Sequence, residues 1–209
     1  MLKEQINNQN QVIHEFSISE NFTVQRILTF LKNSLSEFEK ELNTSKLQIH
    51  LEDDISGQLA LFFQSKAKNK NLLFDFNPRI GVDFSIHISP MRLGAKPIFI
   101  VEAKRLSKSH RDYVKGKTGG IERFKREQNG FGQHLVQSSM IGYIQEETPQ
   151  YWEAKVNRWI EDLIGIKSEL HWEKEDKLVL NGNVSDFISK HRRISGSSII
   201  LYHFWIALS

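Results

Sequence analysis

Two strand-like segments of this chain carry charged side chains where a buried sheet normally has none. Segment 81–86 contains Asp83, and segment 97–104 contains Glu102 and Lys104. Both segments are rich in β-branched and aromatic residues, which favours extended structure. Because an unpaired buried charge costs several kcal/mol, a fold built on these strands has to pair the three groups with each other or bind them to a metal.

A turn between the two segments predicts a β-hairpin. With Asp83 opposite Glu102, residues 82–88 pair with 97–103. Side chains alternate between the faces of a strand, so Glu102 and Lys104 share a face. Directly opposed residues have Cβ atoms roughly 5 Å apart, which places Asp83 beside Glu102.

Two carboxylates this close repel each other, and a divalent cation relieves the repulsion. Oxygen ligands of this type suit Mg²⁺ or Mn²⁺. Lys104 beside them is suited to orient a water molecule or to stabilise developing negative charge. The pattern of Asp83, Glu102 and Lys104 therefore predicts metal-assisted hydrolysis of a phosphodiester bond.

An Asp followed about twenty residues later by a strand that ends in Glu-x-Lys resembles the PD-(D/E)XK nuclease superfamily. The resemblance covers residues 50–145. It implies an α/β, restriction-endonuclease-like fold, with a mixed central sheet flanked by helices, and a Mg²⁺- or Mn²⁺-dependent nuclease. It also implies that Asp83, Glu102 and the carbonyl of Ala103 bind the metal and that Lys104 is the catalytic lysine. DNA is the favoured substrate over RNA, since most members act on DNA.

Many members of this superfamily also carry an acid on the helix before the first strand, and Glu52 fits that role as a catalytic and metal-binding residue. It lies three residues before Ile55 on the apolar face of a predicted helix over 52–68, so it points toward the sheet. Asp53 is the second candidate. Alternatively, the acids at this helix start only complement the helix dipole. The chain departs from the family pattern at Val82, where a proline often stands.

Positive charge is concentrated directly after the predicted catalytic lysine. Between Lys104 and Arg126 there are nine Lys or Arg and two acidic residues, a local charge of +7, whereas the whole chain carries +3. Basic residues beside a metal site favour a polyanionic partner. The alternative is a solvated, flexible basic loop. The candidates for nucleic-acid binding are Arg105, Lys108, Arg111, Lys115, Lys117, Arg123 and Arg126.

Length and composition favour one domain of 209 residues, with 39% hydrophobic residues and 14 Phe to fill a core. The chain has no cysteine, which excludes disulfides and thiolate metal sites. Its polar N-terminus gives no sign of a signal peptide. No apolar run is long enough to span a membrane, so we expect a cytoplasmic protein without a membrane partner.

The resemblance implies a catalytic core over 47–145, which leaves an N-terminal helical extension over 1–46 and a C-terminal helix and strands over 146–209. In the extension, apolar residues from Val24 to Leu42 recur at helical spacing after an N-cap at Ser19. This helix packs on the core or, alternatively, forms a homodimer. Other predicted elements are a strand over 72–76, a helix over 121–147 that is either continuous or interrupted at 130–132, a helix over 152–163, and strands over 177–180 and 198–206. A basic cluster over 189–193 is predicted to be solvated or, alternatively, to contact nucleic acid.

A second function is compatible with the same pattern. The fold could serve as a catalytically inactive module that binds nucleic acid or a protein partner and dimerises through residues 19–42. The intact Asp83, Glu102 and Lys104 favour the enzyme, because an inactive site should tolerate the loss of these residues.

Overall fold

Seven strands form one mixed sheet in this computed structural model, which describes residues 2–45, 51–68, 70–77, 82–116 and 120–208, with side chains from residue 22 onward. Four helices of the described residues flank the sheet. The strands are β1 (Leu72–Asn77), β2 (Val82–Ile88), β3 (Phe99–Leu106), β4 (Gln137–Ile144), β5 (Val179–Leu180), β6 (Asp186–Arg192) and β7 (Ser198–Ala207). The helices are α1 (Leu2–Ser45), α2 (Glu52–Ala67), α3 (Gly120–Arg126) and α4 (Pro149–Glu161).

The strand order is β1-β2-β3-β4-β7-β6-β5. The central strands β3, β4 and β7 run parallel to one another, and an antiparallel pair extends the sheet on each side. In the β2–β3 hairpin, Phe84 is opposite Val101 and Ile86 is opposite Phe99. This is the predicted register, which therefore is confirmed for these pairs.

Each face of the sheet is covered by its own hydrophobic core. On one face, Leu31 of α1 and Phe63 of α2 pack with Val101 of β3. On the other face, Trp152 of α4 packs in a cluster with Ile100 of β3. The sheet is thus the middle layer of three, and consecutive residues of β3 serve opposite cores.

Helix α1 begins at Leu2, whereas the sequence predicted a start near Ser19. Residues 2–45 contain no glycine or proline. The C-terminal half of the helix is stabilised by packing, and the helix extends from there to Leu2 because no helix-breaking residue intervenes. The packed half belongs to the core, because Leu28, Leu35 and Leu42 are buried. Among the described residues, no helix, α1 included, is both long and apolar enough to cross a membrane.

The predicted helix over 121–147 is wrong beyond Arg126. Glu127 and Asn129 have positive φ angles of 50° and 56°, which end α3. Residues 137–144 then form the central strand β4, buried along almost its whole length between β3 and β7. A strand covered on both faces lacks the apolar–polar alternation that identifies half-exposed strands, so the sequence pattern misled.

The prediction that the basic cluster over 189–193 is solvated holds for Lys190 and Arg192 but is wrong for His191 and Arg193. The cluster belongs largely to β6, where Ser189 and His191 point into the core while Lys190 and Arg192 are exposed. Arg193, just after the strand, is only 4% exposed. All four tryptophans are also buried.

Candidate functional site

Three elements bring four of the predicted site residues together. Strand alternation places Glu102 and Lys104 on one face of β3, and the hairpin register brings Asp83 of β2 next to them. Glu52 is the first residue of α2, and its side chain reaches β3 from the helix N-terminus. These four residues form what we call the carboxylate cluster.

The ammonium group of Lys104 lies among the oxygens of the carboxylate cluster. Its Nζ atom donates to Glu52 Oε1 at 3.0 Å and to the carbonyl oxygen of Ala103 at 2.8 Å. It lies 3.3 Å from Glu102 Oε1 and 3.7 Å from Asp83 Oδ2. Four oxygen atoms from four residues therefore surround one cationic nitrogen.

Two of the acids also hold the backbone of β3. Asp83 Oδ2 accepts a hydrogen bond from the N–H of Ala103 at 2.8 Å, and Glu52 Oε2 accepts one from the N–H of Arg105 at 2.6 Å. The two bonds lie on either side of Lys104 in the chain. They satisfy backbone donors that the sheet would otherwise have to pair, and they fix both acids relative to β3.

Burial and mutual repulsion perturb the carboxyl groups. Glu102 is 1% exposed, and burial, followed by the charge of Asp83, raises its pKa to about 7. Burial likewise raises the pKa of Asp83, against the opposing effect of Lys104. Burial disfavours the charged form of Lys104, but Glu102, Asp83 and Glu52 outweigh it and hold the pKa of Lys104 above its ordinary value. The carboxyl groups of Asp83 and Glu102 are therefore harder to ionise than ordinary carboxyl groups.

Arg123 of α3 supplies a second cation to Glu102. Its Nη1 atom donates to Glu102 Oε2 at 3.0 Å, so the two oxygens of Glu102 face different cations. The guanidinium group also lies over the ring of Phe131, 3.9 Å from the centroid. The planar group is held between a carboxylate and an aromatic face, a geometry that Lys does not reproduce.

The oxygen set fits a hard divalent cation in chemical type. Carboxylates of Glu52, Asp83 and Glu102 and the carbonyl of Ala103 are ligands that Mg²⁺ and Mn²⁺ prefer. In this structure these oxygens gather around the ammonium of Lys104. No group of three or more His, Asp or Glu side chains in the described ranges is arranged to hold a metal ion as it stands. A bound ion would therefore compete with Lys104 for the same oxygens.

The neighbouring acids on α2 do not join the cluster. Asp53 and Asp54 are exposed, whereas the side chain of Glu52 is 31% exposed and bonded to β3. Of the two predicted candidates, the structure brings in Glu52. His87, which shares a face of β2 with Asp83, is buried.

Most of the predicted nucleic-acid-binding residues are ion-paired with acids. Lys108 pairs with Glu147, and Arg111 pairs with Asp162 at 3.1 Å. Arg105 and Lys115 are exposed, and Lys117 lies outside the described residues. Acids distant in sequence therefore neutralise part of the positive charge counted between Lys104 and Arg126. Arg126 pairs with Glu122 and Glu169, and Arg123 pairs with Glu102.

Lys125 is part of a buried polar network that the sequence did not reveal. Its ammonium is fully buried, donates to Asp176 Oδ1 at 2.7 Å and donates to the carbonyl of His171 at 3.0 Å. Lys125 is therefore inaccessible to an external phosphate. Its acidic partner lies 51 positions away, so no local pattern could have identified the pair.

The same network continues through two histidines. Asp176 Oδ1 lies 2.5 Å from His191 Nδ1, and His191 Nε2 lies 2.6 Å from the hydroxyl of Ser189. That hydroxyl also contacts His203 Nε2 at 2.7 Å, and His203 Nδ1 contacts the hydroxyl of Tyr113 at 2.8 Å. Burial lowers the pKa of both histidines, so both are neutral. This series of hydrogen-bonded side chains has the residue order of a Ser-His-Asp triad. Because all of its members are buried, it is a structural element.

Comparison of this chain with protein-family models, with curated proteins and with solved structures found no match. The fold is accordingly described as an α/β sandwich built on a seven-stranded mixed sheet.

Proposed function

We propose that the protein is a divalent-metal-dependent nuclease of the PD-(D/E)XK type with a restriction-endonuclease-like fold. The observation that carries this proposal is the convergence of four oxygens on the Nζ atom of Lys104. The two carboxylates of the Asp…Glu-x-Lys pattern lie within one cluster, at the end of a hairpin with the register that the pattern requires. The mixed sheet with helices on both faces is compatible with this fold.

Asp83, Glu102, the carbonyl of Ala103 and Glu52 would hold Mg²⁺ or Mn²⁺. When bound, such an ion stabilises negative charge on the scissile phosphate and lowers the pKa of a coordinated water. Lys104, released from part of its carboxylate contacts, would donate hydrogen bonds to the attacking water and to the phosphate.

The surrounding residues would bind and orient the substrate. Arg105 and Lys115, both exposed, are suited to contact backbone phosphates. Lys108 and Arg111 can do so only by exchanging their acidic partners for phosphate. DNA is the proposed substrate in preference to RNA. We further propose a cytoplasmic location. Homodimerisation through α1 is the alternative for this helix, and the oligomeric state in solution tests it.

A second candidate function is a catalytically inactive module that binds nucleic acid or a protein. It is favoured by the position of Lys104, whose ammonium satisfies the same oxygens that a metal would need. Arg123 strengthens this reading, because it neutralises the second oxygen of Glu102. In such a module the ion pairs would be structural.

Metal titration and cleavage assays separate the two functions. We expect Mg²⁺ or Mn²⁺ to bind the purified protein in calorimetric titration and to support cleavage of single-stranded, duplex or branched DNA, with loss of cleavage in chelator. Glu52→Gln should weaken metal binding, while Asp53→Asn, a change in the adjacent exposed acid, should not. Absence of both binding and cleavage with all substrates, RNA included, would rule out the nuclease and favour the module.

A further inference from the structure

A cleft of about 700 Å³ lies beside the carboxylate cluster. Ile100 and Arg123 line it. Ile100 is two residues from Glu102 on the same face of β3, and Arg123 donates to Glu102 at 3.0 Å. The cleft therefore opens immediately next to the buried carboxylate, and its volume falls within the roughly 300–1,000 Å³ that is typical of small-ligand sites.

One wall of the cleft is segment 128–134, which has an unusual backbone conformation and is held by hydrogen bonds at Gly132 and at the preceding residue, Glu127. Asn129 adopts a left-handed conformation with φ 56°. From behind, Arg193 donates to the carbonyl of Gly132 at 2.9 Å, and the N–H of Ser195 donates to the Glu127 carboxylate at 3.2 Å. Non-glycine residues in this region of φ are uncommon and often mark functional sites. The wall is thus a built surface and not a loose loop.

The lining of the cleft combines polar edges with an apolar floor. The amide side chains of Gln128, Asn129 and Gln133 are exposed there. Phe131 and Ile100 supply apolar surface. Among the described residues that line it, none is acidic, whereas Lys96, Arg123 and His134 are basic.

We propose that this cleft binds an unpaired base of a single-stranded nucleic acid, next to the carboxylate cluster. Asn and Gln amides donate and accept hydrogen bonds at base edges, and a guanidinium plane, here that of Arg123 in the cleft lining, stacks on base faces. A paired base has its Watson–Crick edge occupied, so only an unpaired base can present that edge to the wall. The absence of acidic lining suits the adjoining phosphates.

The base-binding role of the cleft rests on the proposed function, because a base bound here places its phosphate near Glu102 and Lys104. The chemistry is shared by DNA and RNA, which the test compares directly. Binding itself does not require catalysis, and it can be measured in chelator.

The test uses a cleft variant, Gln128→Ala combined with Asn129→Gly, in the full chain. Glycine keeps the left-handed backbone at position 129 while removing the amide. Fluorescence anisotropy in chelator, at one fixed salt concentration, compares a short single-stranded DNA, the same DNA with abasic positions, the same sequence as RNA, and a duplex. Gln58→Ala is the control, because Gln58 is an exposed amide on α2, which packs on the opposite face of the sheet.

We expect the wild type to prefer the intact single strand over the abasic strand, and the cleft variant to lose about fivefold to tenfold in affinity for the intact strand only. Gln58→Ala should behave as the wild type. Equal intact-to-abasic ratios in the wild type and the cleft variant would overturn the proposal, as would a wild type that does not distinguish the two strands.

Cleavage assays with Mg²⁺ on the same proteins keep this inference separate from the proposed function. A cleft-dependent preference for bases without any metal-dependent cleavage refutes the nuclease and supports the cleft. Metal-dependent cleavage with an unchanged base preference in the cleft variant supports the nuclease and refutes the cleft. Comparison of the affinities for the DNA and RNA strands then shows whether the bound base belongs to DNA or to RNA.

Discussion

The carboxylate of Asp83 accepts a hydrogen bond from the backbone N–H of Ala103, at 2.8 Å across the β2–β3 hairpin. The paired residues of this hairpin run from Phe84–Val101 to Ile86–Phe99. The side chain of Asp83 thus continues the pairing of β2 with β3 beyond those residues. As a consequence Asp83 is positioned by the strand it faces, and the same Oδ2 atom lies 3.7 Å from the ammonium of Lys104.

The first prediction concerns pH. Burial, and then Asp83, raise the pKa of Glu102 from 4.5 to about 7. A carboxyl group with a raised folded-state pKa binds its proton more tightly in the folded state. Its contribution to stability is therefore complete below the unfolded value near 4.5 and is lost as pH rises through about 7. The shift corresponds to about 3 kcal/mol.

Urea denaturation in chelator across this window checks the prediction. Glu102→Gln should flatten the fall in stability between about pH 5 and pH 8, because the neutral amide does not titrate. Glu41→Gln, a change at an exposed residue of α1, is the control and should leave the profile as in the wild type. A wild-type profile that rises over this interval would contradict the assignment. Metal affinity should change in the opposite sense and increase with pH, since the ionised form binds the cation.

A second prediction concerns the buried pair Lys125–Asp176. Both side chains are essentially inaccessible, so removing one leaves the other charge unpaired. Lys125→Met should destabilise the protein by about 3–5 kcal/mol, measured by chemical denaturation. The double variant Lys125→Met with Asp176→Asn should be less damaging than the sum of the single changes. Additive effects would show that the two groups do not depend on each other.

The convergence of the charged residues was predictable because it depends on local rules. Strand alternation and a hairpin register are sufficient to bring Asp83, Glu102 and Lys104 together, and both are readable from consecutive residues. The position of Glu52 followed in the same way from its place on the apolar face of α2. The functional roles of these residues stay predictions.

What the sequence did not reveal depends on distant partners. Strand β4 lies between two parallel neighbours, so its burial hides the alternation that would have identified it. The ion pair of Arg123 with Glu102 joins residues 21 apart, on a helix and a strand. The acids that neutralise Lys108 and Arg111 come from the C-terminal part of the chain. A local charge count cannot detect such pairs.

A third prediction uses two glycines to test the packing of the central sheet. A Cβ atom at Gly142 of β4 would lie 2.3 Å from the ring of Trp205 on β7, whereas one at Gly57 of α2 would meet Phe76 only at 4.0 Å. Gly142→Ala should destabilise the protein by about 1–3 kcal/mol through overpacking. Gly57→Ala should stabilise it by up to about 1 kcal/mol, because alanine favours the helix. Thermal melting measures both, and a neutral Gly142→Ala would contradict the close approach.

The last prediction separates the structural and catalytic roles of Lys104. Lys104→Met removes the cation that Glu52, Asp83 and Glu102 share, so in chelator the variant should lose about 3 kcal/mol of stability. Mg²⁺ should restore much of this loss and should bind more tightly than in the wild type, because no ammonium competes for the oxygens. Under the proposed function, cleavage should nevertheless fall by about 100-fold or more, since the metal would not replace the hydrogen bonds that Lys104 is proposed to donate to water and phosphate.

Calorimetric titration, thermal melting with and without Mg²⁺, and a cleavage assay measure these three effects on one protein. Lys40→Met, a change of an exposed lysine on α1, is the matched control and should alter none of them. If Mg²⁺ fails to stabilise Lys104→Met, the carboxylates do not form a metal site, and the ion pairs of Lys104 serve the fold alone. If Mg²⁺ stabilises the variant and cleavage persists, the oxygens bind metal but Lys104 is not catalytic.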